Sequence, residues 1–263
     1  MLQGRGKPLT YKKSVFITGA SSGIGKSLAF EYAKNKYVIG LTARRDQLLK
    51  EIVLECNKLG GEAYAYKLDV TDGENCKKVA SEFLKKVNAM DIIIANAGIS
   101  GDDGIYDSNS KRINNILNTN IIGVTNSLMP FIPTLKKQGE GTLVCLSSVA
   151  GFFPIPYRGG YSSSKVAIRM IFDAWRPILN KYNIKMITIC PGFIDTPIIK
   201  GPAKNFPMVP VDKAAIKFFK IIERGNGTYV YPWYYRIIIF LMLMIPNKLI
   251  NFILKRMFSR RER

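Results

Sequence analysis

Short apolar runs alternate with stretches of helical periodicity along most of this chain, and that alternation restricts its fold more than any other feature. Val15-Phe16-Ile17 is an apolar run that ends in a glycine-rich turn, and Ile24 to Lys34 follows with helical spacing. The same reading predicts strands at Tyr37–Thr42, Ala63–Leu68, Asp91–Ala95, Thr142–Ser147, Lys185–Cys190 and Thr228–Tyr231. Helices are expected at Asp46–Lys58, Glu74–Lys86, Ile113–Lys136 (interrupted near Pro130), Tyr161–Asn180 and Ala214–Glu223. Strands joined through helices need right-handed crossovers, so the expected product is an α/β chain: a parallel sheet of about seven strands with helices on both faces. Ligands of such sheets bind beyond the carboxyl ends of the strands, where the strand order reverses. Every motif considered below falls at such an end.

A chain of 263 residues fits one core domain, placed at 1–230, followed by a tail at 231–263. Histidine is absent, which removes Ser-His-Asp catalysis and any His-based zinc site. Proton chemistry must then use Tyr, Lys, Cys, Asp or Glu. Cys56, Cys76, Cys145 and Cys190 form no C-x-x-C pair, so neither a metal cluster nor a disulfide framework is expected, and a reducing compartment fits. The basic, polar stretch from Met1 to Lys13 does not read as a secretory signal. The formal charge of +20 would suit a polyanionic partner, but the lysines are spread along the chain as on solvated faces. No nucleic-acid-binding motif is present.

Gly19, Ser21, Ser22, Gly23, Ile24 and Gly25 join the first strand to the first helix. Glycines here allow a tight turn and close backbone approach to a pyrophosphate, which the helix N-terminus then holds with free N–H groups. The second strand runs into Arg44 and Arg45, with no acid before Asp46. Two guanidinium groups suit the 2′-phosphate of NADP(H), whereas an acid there would favour NAD(H); the alternative is a pair of solvated side chains at a helix start. Asp69-Val70 follows the third strand; an Asp there can meet an adenine amino group, with Asp72 the better helix cap. Asn96-Ala97-Gly98 closes the fourth strand and Pro191-Gly192 the sixth, each as a tight turn. Tyr161 and Lys165 are one helical turn apart, which stacks them on one face; a nearby ammonium lowers a phenol's pKa from about 10 and makes it a usable proton carrier.

Ser148 closes the fifth strand 13 residues before Tyr161, and Asn120 sits in the preceding helix. With the T-G-x-x-x-G-x-G turn and the Y-x-x-x-K pair, this order resembles the short-chain dehydrogenase/reductase family over about residues 13–200. The resemblance implies a Rossmann-type, doubly wound sheet and a nicotinamide cofactor. It implies that Ser148 holds the substrate oxygen and Tyr161 exchanges a proton with it. Lys165 would depress the Tyr161 pKa and hold the nicotinamide ribose, while Asn120 would anchor a water through a local break in its helix. The Pro-Gly loop would cover the nicotinamide, with Thr196 and the backbone of Ile194 meeting its carboxamide. Ser147 and Tyr157 are competing residues, but the 13-residue spacing favours Ser148 and no lysine lies four residues after Tyr157. Family members are commonly dimers or tetramers, so a homo-oligomer is expected.

Phe152 to Pro156, with Phe193, Ile194, Ile198, Ile199, Phe206 and Met208, would give an apolar pocket for a lipid-like carbonyl or alcohol, unless they pack on each other or at a subunit interface. The tail carries Ile237 to Ile245, then Pro246, then further apolar residues and a basic end. Its unbroken apolar run is short of the ~20 residues of a spanning helix. An apolar and basic helical hairpin lying on an anionic membrane surface is one reading, with a cytoplasmic protein held at the inner face. A tail packed over the substrate cleft or on a partner subunit is the other. A non-catalytic dinucleotide-binding scaffold is the competing function; an intact Ser148, Tyr161 and Lys165 argue against it, and no sugar-binding domain supports an epimerase.

Overall fold

A computed structural model describes residues 11–199, 207–246 and 249. Phe206 and the second half of the tail, including Ile250, Phe252, Ile253 and Leu254, lie outside the described residues.

The strands are β1 (Ser14–Thr18), β2 (Val38–Ala43), β3 (Glu62–Lys67), β4 (Ile92–Ala95), β5 (Gly141–Leu146), β6 (Ile184–Pro191) and β7 (Gly227–Tyr231). They form a seven-stranded sheet in the order β3-β2-β1-β4-β5-β6-β7. Every pairing is parallel, with Ser14 opposite Val38 on one side of β1 and Val15 opposite Ile92 on the other. The order reverses between β1 and β4, so a crevice opens beyond their carboxyl ends.

The helices are α1 (Gly23–Lys34), α2 (Asp46–Lys58), α3 (Gly73–Leu84), α4 (Ser110–Leu117), α5 (Gly123–Leu128), α6 (Ile132–Gln138), α7 (Gly159–Asn180), α8 (Val211–Arg224) and α9 (Tyr234–Met244). The period-2 alternation of β1 sorts its side chains between two cores. Val15 and Ile17 pack with Leu28 of α1, Leu49 of α2 and Phe218 of α8. Phe16 points the other way, to Phe83 of α3, Phe131, and Ile168 and Phe172 of α7. A sheet buried on both faces explains why the strands read as continuous apolar runs.

The helical stretch expected from Ile113 to Lys136 is broken twice. A π-helical turn spans Asn118–Ile122, and a 3-10 turn spans Met129–Phe131 around Pro130. Asp72 caps α3, its carboxylate accepting from the N–H of Asn75 at 3.0 Å. Tyr231, where the tail was divided from the domain, is the last residue of β7. Among the described residues no helix is long and apolar enough to cross a membrane.

Candidate active site

One cavity of about 900 Å³ lies beyond the carboxyl ends of the strands. At one end it is lined by Gly19, Ser21, Ser22, Gly23 and Ile24 from the first turn, Arg44 and Arg45 after β2, Asp69 and Val70 after β3, and Asn96, Ala97 and Gly98 after β4. Further along come Ser148, Tyr161, Lys165, Pro191, Gly192, Ile194 and Thr196. Gly25 and Asn120 stand behind this wall.

The glycine turn is built around close backbone approach. Gly19 has φ +67°, and a Cβ there would come within 2.7 Å of the Ala97 Cα. A Cβ on Gly25 would lie 2.4 Å from Asn96 Nδ2. Asn96 crowds Gly25 and fixes the turn from below: its Nδ2 donates to the carbonyls of Thr18 and Gly19 at 2.9 and 3.1 Å. The first turn of α1 holds no acid, so its N–H groups face the cavity without a competing carboxylate. This cradle fits a dinucleotide pyrophosphate, and side chains at the two glycines would push its turn away from Asn96 and Ala97.

Arg45 lies across the turn, its Nη2 donating to Ser21 Oγ and Ser22 Oγ at 2.8 Å each. Arg44 faces Asp69, with Nη1 3.9 Å from Oδ2. Asp69 also accepts from Thr71 N and Oγ1. Although its partial burial acts upward, those bonds and Arg44 hold its carboxyl below the usual range.

Ser148 sits between β5 and a short 3-10 turn, its Oγ accepting from Ala150 N at 3.1 Å. The same Oγ donates to the Pro191 carbonyl at 3.5 Å, and its nearness to Tyr161 pulls the phenol's pKa down. Ser147 is committed elsewhere: its Oγ donates to the Lys165 carbonyl at 2.8 Å. Tyr157 turns its hydroxyl to that of Tyr106, 3.3 Å away. Ser147 also lines the cavity, but its hydroxyl is engaged by that carbonyl, and Tyr157 is absent from the lining.

The Tyr–Lys electrostatics differ from the sequence expectation. Lys165 Nζ donates to the Leu146 carbonyl at the end of β5, at 2.7 Å, and lies 5.7 Å from the centre of the Tyr161 ring. Tyr161 does not have a depressed pKa; enclosure of its hydroxyl raises it, and the opposing pulls come from Ser148 and Arg158. Burial pushes the Lys165 ammonium down to about 8. The physical reason is that desolvation of a phenolate outweighs an ammonium already engaged by a strand-end carbonyl.

Asn120 lies in the π-helical turn and clamps two segments. Its Oδ1 accepts from Ile99 N at 2.8 Å, while its Nδ2 donates to the Ile99 carbonyl at 2.9 Å and to Ser164 Oγ at 3.0 Å. Ser164 Oγ in turn donates to the Tyr161 carbonyl at 2.7 Å. The bulge in the helix turns the side chain toward α7.

Apolar walls close the cavity with Phe153, Pro154, Ile155, Pro156, Phe193, Ile198 and Ile199. Phe152 and Met208 are not among them; Phe152 lies under the Arg169 guanidinium, 4.5 Å from its ring centre. Tyr235, Met242 and Ile245 complete the wall, so one side of α9 covers the cleft. A Cβ on Gly192 would lie 2.2 Å from the Tyr235 ring, which shows how tightly α9 seats.

Four residues of interest had no sequence signal acted upon. Asp103 is buried and accepts from Gly159 N and from Gly160 N, the latter at 2.9 Å, capping α7. Ser100 lines the cavity, and among the described residues its buried Oγ has no hydrogen-bond partner. Tyr235 comes from the tail. Arg158, three residues before Tyr161, lines the cavity with its guanidinium near the phenol; a basic residue at that spacing was visible in the sequence.

A family model described as short chain dehydrogenase matches residues 13–205. The chain belongs to the short-chain dehydrogenase family. It is 31% identical to the 3-oxoacyl-(acyl-carrier-protein) reductase FabG of Thermotoga maritima over 186 residues, 71% of this chain and 76% of that protein. It is 28% identical to human 17-beta-hydroxysteroid dehydrogenase 13 over 238 residues, 89% of this chain and 79% of that one. Among solved structures, an alcohol dehydrogenase from Thermococcus sibiricus complexed with 5-hydroxy-NADP superposes with a TM-score of 0.76 at 26% identity, covering 83% of this chain and 95% of the other. Short-chain dehydrogenases are oxidoreductases of alcohol and carbonyl groups, so the cavity described above is that of a nicotinamide-dependent enzyme family.

Proposed function

We propose that this chain is an NADP(H)-dependent oxidoreductase interconverting a carbonyl and an alcohol on an apolar, lipid-like substrate. One observation carries the reading: the hydroxyls of Ser148 and Tyr161 meet on a single cavity whose lining runs from the glycine turn to an apolar wall. Ser148 holds the substrate oxygen. Tyr161 delivers a proton to that oxygen in reduction and removes it in oxidation. Lys165 holds the nicotinamide ribose hydroxyls, and Asn120 fixes α7 against the loop at Ile99 and anchors a water that links Lys165 to solvent. A bound nicotinamide supplies or accepts the hydride.

Preference for NADP(H) over NAD(H) is supported by Arg44 and Arg45 at the end of β2, both on the cavity. Gly98, Asp69-Val70, the Pro191-Gly192 loop, Ile194 and Thr196 would take the rest of the dinucleotide. An apolar substrate body is supported by the wall of Phe153, Ile155, Ile198 and Met242, and by the oxoacyl and hydroxysteroid names of two relatives. The outer side of α9, with Ile237, Phe240, Leu241 and Leu243 all more than half exposed, supports peripheral contact with a membrane surface. A cytoplasmic homo-oligomer completes the reading.

The test follows nicotinamide absorbance with the purified chain, NADPH or NADH, and a panel of apolar carbonyls. Tyr161→Phe is expected to abolish turnover and retain NADPH binding; retained turnover refutes the assignment. Arg45→Ala is expected to weaken NADPH binding about tenfold, as for loss of one charge-assisted pair, and to leave NADH unchanged. Tighter binding of NADH than NADPH by the unaltered chain overturns the cofactor preference.

A further inference from the structure

The charges on the cavity are unevenly matched. At the end near β2 and β3, Arg44 faces Asp69 and Arg45 rests on two serine hydroxyls. In the middle, Lys165 is held by the Leu146 carbonyl. Among the described residues Arg158 is the remaining charged residue of the lining, set among Phe153, Pro154, Ile155 and Pro156. Its residue is only partly exposed, yet among the described residues its guanidinium has no ion pair and no hydrogen bond. The neighbouring acid is Asp103, and its carboxylate is used by the N–H groups of Gly159 and Gly160. Asp69 is the single acid on the cavity among the described residues and is engaged by Arg44 and Thr71.

An unpaired guanidinium against apolar walls is costly, and it offers a planar fork of N–H donors suited to a carboxylate or phosphate. Arg158 immediately precedes α7, three residues before Tyr161, so a group bound to it lies a few bonds from the reacting carbon. We propose that Arg158 docks an anionic group of the substrate, which is therefore an amphiphile: an apolar body, the reacting carbonyl or alcohol, and a carboxylate or phosphate close to it. The inference rests on the oxidoreductase reading for the identity of the reacting group, but the anion site itself does not require turnover. The same cation also favours the Tyr161 phenolate, so an anionic substrate tempers that pull as it binds.

The experiment compares 5-oxodecanoate with methyl 5-oxodecanoate, which share the ketone and the chain and differ in charge. Binding to the whole chain is measured calorimetrically without nucleotide, and turnover is measured with NADPH. The acid is expected to bind about 10- to 100-fold more tightly than the ester, the scale of a charge-assisted pair, and to show the lower KM. Arg158→Gln is expected to abolish that difference and leave calorimetric binding of the ester unchanged; Arg158→Lys is expected to retain part of the difference. Equal binding of acid and ester, or a preference for the acid that survives in Arg158→Gln, overturns the proposal. A loss in Arg158→Gln of kcat for both compounds with KM unmoved also overturns it, because Arg158 would then act only on Tyr161. A rise in the NADPH Kd with oxo acid binding unmoved overturns it too, as a cofactor contact. If neither compound turns over but the Arg158-dependent acid preference remains in calorimetry, the anion site stands and the oxidoreductase reading falls.

Discussion

Asp103 should hold the catalytic helix in place, and its removal should cost both stability and rate. The carboxylate is buried, at 6% exposure, and accepts from the first two N–H groups of α7. Those donors have no partner within the helix, so Asp103→Ala leaves both unmet, that of Gly160 in a buried position. Two bonds to a charged acceptor contribute ~3–6 kcal/mol in gross terms, offset by no longer burying a carboxylate. Loss of a good helix cap costs ~0.5–2 kcal/mol at exposed sites. A net loss of about 2–3 kcal/mol is expected, and at ~2–4 °C per kcal/mol for a chain of this size, Tm falls about 5–10 °C. Asp103→Asn keeps one acceptor but turns an amide donor toward the other N–H, so about half the loss is expected. Tyr161 is the third residue of α7, so the same change should lower kcat roughly tenfold through misplacement of the phenol. Thermal unfolding and steady-state kinetics on both variants provide the check. An Asp103→Ala protein within about 0.5 kcal/mol of the parent and with unchanged kcat would refute the argument.

Lys165 makes stability depend on pH with a definite sign. Its folded pKa is lowered from 10.5 to about 8, chiefly by burial, so between those values the unfolded chain binds the proton more strongly and stability rises with pH. Subtracting the denaturant-unfolding curve of Lys165→Met from that of the parent should reveal this rise, on the order of a few kcal/mol at most; a flat or falling difference between pH 8 and 10.5 counts against it. Gly192→Ala drives a Cβ into the Tyr235 ring and must displace α9. It is expected to raise KM severalfold for long apolar substrates with little change for short ones, and a uniform effect on both would show that α9 does not wall the substrate.

The alternating period carried most of the fold. The seven strands and the placement of α1, α2 and α7 follow from apolar runs of strand length set between helical stripes, because a doubly covered parallel sheet leaves those runs no other use. The cavity end built on the glycine turn was legible for a related reason: Gly19 and Gly25 are needed where backbone meets backbone, and such contacts leave a fixed spacing. What escaped depends on contacts between distant segments. Asp103 sits 56 residues from Gly159, and nothing local marks it as the cap of α7. Phe152 and Phe153 are adjacent and alike in sequence, yet one lies under Arg169 and the other on the cavity. The tail posed two readings that its composition alone does not separate: in the fold Tyr235, Met242 and Ile245 line the cleft, while Phe240, Leu241 and Leu243 are exposed.

The Tyr161–Lys165 pair shows why one-turn spacing fixes neighbourhood without fixing charge coupling. Stacking on a helix face brings the two side chains together, but the direction of the ammonium is decided by the strongest acceptor within reach. Here that acceptor is the Leu146 carbonyl, which terminates β5 and faces α7 because the strand ends at the cavity floor. Burial then acts on both groups toward neutrality: it raises the phenol and lowers the ammonium. Of the cations that face the cavity beyond them, Arg44 faces Asp69 and Arg45 rests on two serine hydroxyls, which leaves Arg158 to answer negative charge beside the phenol. In this arrangement Tyr161 holds its proton at neutral pH, the state a proton donor to a carbonyl requires, and withdrawing Arg158 would tighten that hold further.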